Sequence, residues 1–104
     1  MNKALGLIGL SARARKIVYG ADSTKEALEK GRVKLVIVSK EASEKTIKNF
    51  KFYSEKYSVP ICIFGKIEDL SKSIGKKNKA ILGILDENLA KEIKKIIDGG
   101  EVIG

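Results

Sequence analysis

Histidine and tryptophan are absent from this 104-residue chain, and it has one cysteine and one proline. Without histidine it lacks the commonest general base and the commonest metal ligand. A single thiol, Cys62, excludes an internal disulfide and any multi-cysteine zinc site, and it fits a reducing cytoplasm, where the protein is expected to work. Cys62 lies in the apolar run Pro60-Ile61-Cys62-Ile63-Phe64, which reads as a buried, inert thiol rather than a nucleophile. Long apolar runs are missing too. Ala4 to Leu10 is short and is followed by Arg13, Arg15 and Lys16, so neither a signal peptide nor a membrane span is expected. No GxGxxG or P-loop pattern occurs, which leaves nucleotide binding by those devices without support. Ser11 and Ser39 have no histidine to activate them. The acid pairs Glu41/Glu44 and Glu68/Asp69 lack metal-ligand spacing and read as caps and exposed charges. An enzyme, a metal, a cofactor and a small-molecule substrate are therefore not expected.

Basic charge is what the chain has in excess. Lys+Arg is 21 against 13 Asp+Glu, for a net charge of +8. On so small a domain this points to a polyanionic partner, nucleic acid before a membrane surface, beside the plainer reading of a solubility charge. The cations are 18 Lys and 3 Arg. Lysine is a point charge without the planar fork of arginine, so phosphate contact is easier to support than base reading. The charge is also uneven. From Met1 to Ala21 the cations are Lys3, Arg13, Arg15 and Lys16, with no acid; from Ser71 to Leu85 they are Lys72, Lys76, Lys77 and Lys79, again with no acid. Elsewhere the helices mix both signs, as solvated faces do.

An apolar content of 43% is enough for a core, and the length allows one domain. We assign residues 1–98 to it and 99–104 to a tail. Asn2 to Ala14 has helical spacing through Leu5, Ile8 and Ala12. Lys16 to Tyr19 is a short β-like run, broken by Gly20. Asp22 is the expected N-cap of a second helix ending near Lys30, with Gly31 as its stop. The β-branched run Val33 to Ser39 reads as a buried strand. Ser43 caps a third helix to about Tyr57, with Ile47, Phe50, Tyr53 and Tyr57 inward and Phe52 on the opposite face. Pro60 to Phe64 is a strand, Ile67 to Ile74 a short helix stopped by Gly75, Ala80 to Leu85 the last strand and Glu87 to Ile97 the last helix. This alternation predicts a three-layer α/β/α sandwich around a small four-stranded mixed sheet.

Two segments stand out as binding candidates. Gly75-Lys76-Lys77-Asn78-Lys79 places three cations and an amide on one tight loop. Gly20-Ala21-Asp22-Ser23 opens a helix whose free N–H groups and dipole suit a phosphate or a base edge. Taken alone, each is also readable as an ordinary turn.

The chain resembles the kink-turn RNA-binding ribosomal-protein superfamily, typified by the archaeal protein L-seven-Ae and the eukaryotic protein L-thirty-e, and within it the bacterial YlxQ-type branch. The stretches that carry the resemblance are Leu7 to Gly20 (LIGLSARARKIVYG), Gly31 to Val38 (GRVKLVIV), Glu41 to Thr46 (EASEKT), Tyr57 to Pro60 (YSVP) and Leu70 to Lys76 (LSKSIGK), in that order. They span about residues 3–97. The resemblance implies a ribosomal-protein-like, monomeric, non-catalytic protein with a structured RNA as partner. It implies that the turn into the second helix enters the bent RNA at its sheared G·A pairs. On this chain that turn is Gly20, Ala21, Asp22, Ser23, Lys25 and Glu26, with Lys16 nearby. The loop before the last strand grips the side of the flipped-out nucleotide; here it is Ile74, Gly75, Lys76, Lys77, Asn78 and Lys79. Kink-turn binders carry Asn-Glu where this chain has Asp22-Ser23, and Lys where it has Glu26. Asp accepts but does not donate, so the resemblance implies an altered base contact, with the carboxylate taking a guanine or cytosine amino group. The alternative function is a protein-interaction module of the same fold, docking on an acidic partner or on itself, with Phe52 as its anchor.

Overall fold

The structure is a computed structural model and describes residues 2–99. Met1 and all of the expected tail except Gly99 lie outside the described residues. The elements run α1 (Lys3–Arg13), β1 (Ile17–Tyr19), α2 (Ala21–Glu29), β2 (Leu35–Val38), α3 (Glu44–Lys56), β3 (Ile61–Ile63), α4 (Ile67–Ser73), β4 (Ile81–Ile84) and α5 (Glu87–Asp98). The order is as expected, and each strand is a residue or more shorter than its sequence signal.

The sheet order is β1-β4-β2-β3. β4 runs antiparallel to both neighbours, pairing Tyr19 with Leu82 on one side and Val38 with Ile81 on the other. β2 and β3 are parallel, with Ile37 opposite Cys62. This is the mixed four-stranded sheet, and helices cover both faces. Leu35, Ile37, Leu82 and Ile84 face a layer that includes Ile8 of α1, Leu70 of α4 and Ile93 of α5. Val36, Val38 and Ile81 face Ala27 and Leu28 of α2 and Phe50 of α3. Period-2 alternation places successive β2 residues on opposite faces, and both faces are covered, so all four are buried. Each such side chain contributes about 1.5–3 kcal/mol on leaving water.

Local signals set the boundaries. Asn2, Ser43 and Asp86 cap α1, α3 and α5 by accepting from the N–H groups of Leu5, Thr46 and Leu89. The expected cap at Asp22 is corrected by the structure. Gly20 is the N-cap of α2, at φ +91°, and no side chain caps that helix. Tyr19 completes the ladder with β4, so the chain must turn at once, and the turn needs a backbone conformation that glycine tolerates. Asp22 falls inside the first turn, where its charge complements the helix dipole. The inner face of α3 is as expected, completed by buried Ser54, whose hydroxyl donates to the Val59 carbonyl. Phe52 points outward and is 62% exposed.

Close packing explains one glycine. A Cβ on Gly83 in β4 would lie 2.9 Å from Val18 Cγ2, 3.2 Å from Thr24 Cγ2 and 3.3 Å from Val33 Cγ2. Only a glycine lets α2 settle this close to the sheet. Thr24 itself is fully buried, and its Oγ1 has no hydrogen-bond partner among the described residues.

Candidate nucleic-acid interface

Strand pairing brings the two candidate segments together. The antiparallel β1/β4 ladder puts the end of β1 beside the start of β4, and the Gly20 N–H donates to the Ile81 carbonyl at 2.9 Å. The turn into α2 and the loop before β4 therefore emerge side by side at one end of the sheet.

The α2 side is short and open. Ala21, Asp22 and Ser23 are exposed. Because no side chain among the described residues caps α2, the first-turn N–H groups that an α-helix leaves unpaired are open to a ligand. The acid on this turn, Asp22, is an acceptor set among donors.

The loop side is held in shape from below. Lys72 and Ser71 end α4 in a Schellman pattern: the Gly75 N–H donates to Lys72 O at 3.1 Å and the Lys76 N–H to Ser71 O at 2.9 Å. Gly75 at φ +71° takes the left-handed position that this stop requires. The buried Ser71 hydroxyl then accepts from the Lys79 N–H at 2.7 Å and donates to Lys79 O at 3.2 Å. One residue thus fixes both ends of the loop, its backbone carbonyl at Lys76 and its hydroxyl at Lys79. Asn78 is also left-handed, at φ +55°, a conformation that asparagine tolerates better than most residues. Lys76, Lys77 and Asn78 are exposed, and Lys79 is half-buried.

Tyr19 joins the two sides. Its ring carries Lys76 Nζ at 5.4 Å and Lys79 Nζ at 5.3 Å from the centroid. Two ammonium groups on one ring are held next to Gly20, at the seam between the segments. The result is a rim with a cationic half built on the loop and a half of open N–H donors built on α2.

The remaining sequence-selected residues fall elsewhere. Ile74 is 8% exposed and belongs to the core beneath the loop, so it supports the rim rather than lining it. Lys25 does not reach round toward the first turn of α2; its Nζ lies 5.1 Å from the centroid of the Tyr53 ring, on α3. Glu26 is exposed and loosely paired with Lys30 at 3.9 Å. Lys16 sits at the far end of β1, its carbonyl accepting from the Leu85 N–H, about 13 Å along the strand from Gly20 at ~3.3 Å per residue. The structure does not bring it to the rim. Sequence reasoning missed Tyr19 and Ser71. The available signals were an aromatic directly before the Gly20 turn and a serine one turn ahead of the Gly75 stop.

Among the described residues, no cluster of three His, Cys, Asp or Glu is placed to hold a metal, and no helix is long and apolar enough to cross a membrane. Cys62 is buried, and burial pushes its thiol pKa up, with a smaller contribution from the Asp98 carboxylate.

Comparison with known proteins gives a consistent picture. Residues 2–94 match the Ribosomal protein L7Ae/L30e/S12e/Gadd45 family. The chain is 37% identical over 97 residues to the RNA-binding protein YlxQ of Enterococcus faecium, covering 93% of each chain. It is 33% identical over 95 residues to the RNA-binding protein YlxQ of Bacillus subtilis (strain 168), covering 88% of this chain and 92% of that one. A solved structure of a protein of unknown function from Bacillus halodurans superposes with a TM-score of 0.91 at 32% identity, over 94% of this chain and 99% of that one. The Giardia lamblia 15.5kD RNA binding protein shares the fold, with a TM-score of 0.78 at 20% identity over 93% and 83% of the two chains. A match over nearly the whole sheet and its helices, with relatives of the YlxQ type at more than 30% identity, places this chain in the L7Ae/L30e/S12e/Gadd45 family of ribosomal proteins and in its YlxQ-type branch.

Proposed function

We propose that this protein binds structured RNA of the kink-turn type through the rim formed by the first turn of α2 and the loop before β4, without catalysing a reaction. The observation that carries this reading is the junction at Tyr19. Two segments far apart in the sequence, one offering uncapped backbone donors and the other lysines, are clamped edge to edge. Relatives called RNA-binding proteins support the coarser part of the reading. Lys76, Lys77 and Lys79 hold phosphates on both sides of the bend. Backbone N–H groups at Ala21 to Ser23 meet base edges, and Asp22 accepts from an exocyclic amino group. Asn78 hydrogen-bonds the bent strand. Lys16 is too distant for the bend and meets phosphate further along the duplex. A rigid rim suits RNA, which is read by shape and by unstacked bases. Such a protein works where structured RNA is found, in the cytoplasm and on ribosomal or ribosome-associated RNA.

The test compares a kink-turn RNA with a fully paired duplex of equal length at about 0.15 M salt with magnesium. Tighter binding to the kink-turn is expected. With about four phosphates neutralised, log K should fall with log salt at a slope of roughly −3 to −4. Equal binding to both RNAs refutes kink-turn recognition, and a slope near zero refutes phosphate contact by the loop lysines.

A further inference from the structure

We infer that the outer face of α3 is a second RNA contact, at which Phe52 stacks on an unpaired base of a single strand leaving the bend; this rests on the RNA-binding reading above. Phe52 is the most exposed large hydrophobic side chain among the described residues, at 62%, and its ring is not loose. It meets the Tyr53 ring at 5.8 Å and 67°, and Tyr53 in turn meets the Phe50 ring edge-on at 5.3 Å. Phe50 is 3% exposed, so a ladder of three rings runs from the core to the surface. An aromatic held this way loses little freedom when a flat partner covers it.

Charge identifies the partner. On α3, Lys48 and Lys56 stand one helical turn either side of Phe52, and Lys51 adjoins it; all three are exposed. Lys56 is poised over the neighbouring Tyr57 ring at 5.4 Å. The acids of the same helix are Glu44, at its start, and Glu55. An exposed ring among lysines is the combination that tracks single-stranded nucleic acid: phosphates on the cations, a base on the ring. An acidic peptide would satisfy the lysines but leave the flat face of Phe52 without a matching surface.

Continuity places the strand. Lys25, two residues beyond Ser23 at the rim, lies over Tyr53 at 5.1 Å and bridges α2 to the ladder. An RNA strand leaving the α2 half of the rim meets Lys25 first, then Phe52. Asp22, Glu26, Glu29 and Glu55 are the acids on these two helices that it must pass, and Glu26 is drawn toward Lys30.

The chain has no tryptophan, so Phe52→Trp installs a single fluorescent reporter at the stacking position. The probes are a blunt kink-turn RNA, the same RNA with an oligoadenylate extension on one strand or the other, and oligoadenylate alone. We expect extended RNA and oligoadenylate to quench the indole emission of the Phe52→Trp variant, and blunt RNA to leave it unchanged. Phe52→Ala should weaken extended RNA by about tenfold and blunt RNA by less than twofold, with only a small fall in melting temperature, because the side chain is exposed apart from its contact with Tyr53. Lys76→Ala should weaken blunt and extended RNA alike. Equal affinity of Phe52→Ala and the unsubstituted chain for extended RNA, or no quenching by extended RNA or oligoadenylate, overturns the platform while leaving the rim untouched. Emission that changes with protein concentration instead, with self-association lost in Phe52→Ala, also overturns it and assigns the face to a second copy of the chain. Quenching by oligoadenylate without kink-turn preference upholds the platform and removes the rim.

Discussion

Ser71→Ala separates the shape of the rim from its charge. The hydroxyl accepts from the Lys79 N–H at 2.7 Å and donates to Lys79 O at 3.2 Å, and it is 3% exposed. Two net hydrogen bonds contribute about 1 kcal/mol each, and leaving the half-buried Lys79 amide unpaired adds to the loss. Alanine recovers about 0.5 kcal/mol of helix propensity, so the expected cost is about 2 kcal/mol. For a domain of this size that is a fall in Tm of roughly 5–15 °C. The loop keeps its lysines but loses the clamp that holds Lys79 against α4, so RNA affinity should drop by about tenfold through the cost of reordering it. The number of phosphates met does not change, and the salt slope should not either. Lys77→Ala should do the reverse, leaving Tm alone and reducing the slope by about 1. Thermal melts, hydrogen exchange at the Lys79 amide and RNA titrations across a salt series read all of this. Unchanged Lys79 exchange in Ser71→Ala, or an unchanged Tm, would show that the serine does not hold the loop.

Three further substitutions or treatments probe the layers. Thr24→Val replaces a buried hydroxyl that has no partner with a methyl of the same shape, so stability should rise by about 1 kcal/mol; a lower Tm would mean that the hydroxyl is bonded after all. Gly83→Ala pushes a methyl against Val18, Thr24 and Val33 and should cost about 1–3 kcal/mol in denaturant unfolding; a neutral result would show that α2 can lift from the sheet freely. Because burial raises the Cys62 pKa, less thiolate is present at neutral pH than in the unfolded chain. Alkylation should be slow when folded and fast in denaturant, and rapid labelling of the native protein would contradict the burial.

The layer order and the sheet were legible because their signals are periodic. The apolar run Leu35–Val38 reads as a strand buried on both faces, and the outward direction of Phe52 follows from counting 100° per residue. The Gly75 stop and the Ser43 cap are one-residue signals with one meaning each. Asp22 misled because aspartate is a favoured N-cap residue, whereas here the ladder to Leu82 fixes where the turn must begin and glycine takes the cap. Lys16 and Lys25 lie away from the rim for a related reason. Nearness in sequence to Gly20 does not fix direction, and one lies at the far end of a strand while the other is drawn across to Tyr53. Tyr19 was not legible because its partners, Lys76 and Lys79, are distant in sequence, and Ser71 because a serine near a helix end does not show whether its hydroxyl turns back onto the loop that follows. An aromatic between Val18 and Gly20 looks like core until β4 brings two lysines over it.

The β1/β4 pairing has a consequence for how binding and folding are linked. β1 is a three-residue edge strand that follows α1, and its partner is the last strand among the described residues. Neither half of the rim reaches the other until that closure happens, so no fragment that stops short of β4 possesses the site. The rim is therefore completed only once β4 has been synthesised, and it comes apart if the β1 edge frays. A bound RNA that spans both halves acts as a splint across this closure. Its binding energy goes into holding β1 against β4, and occupancy should protect the Gly20 and Leu85 amides from exchange more than any in β3.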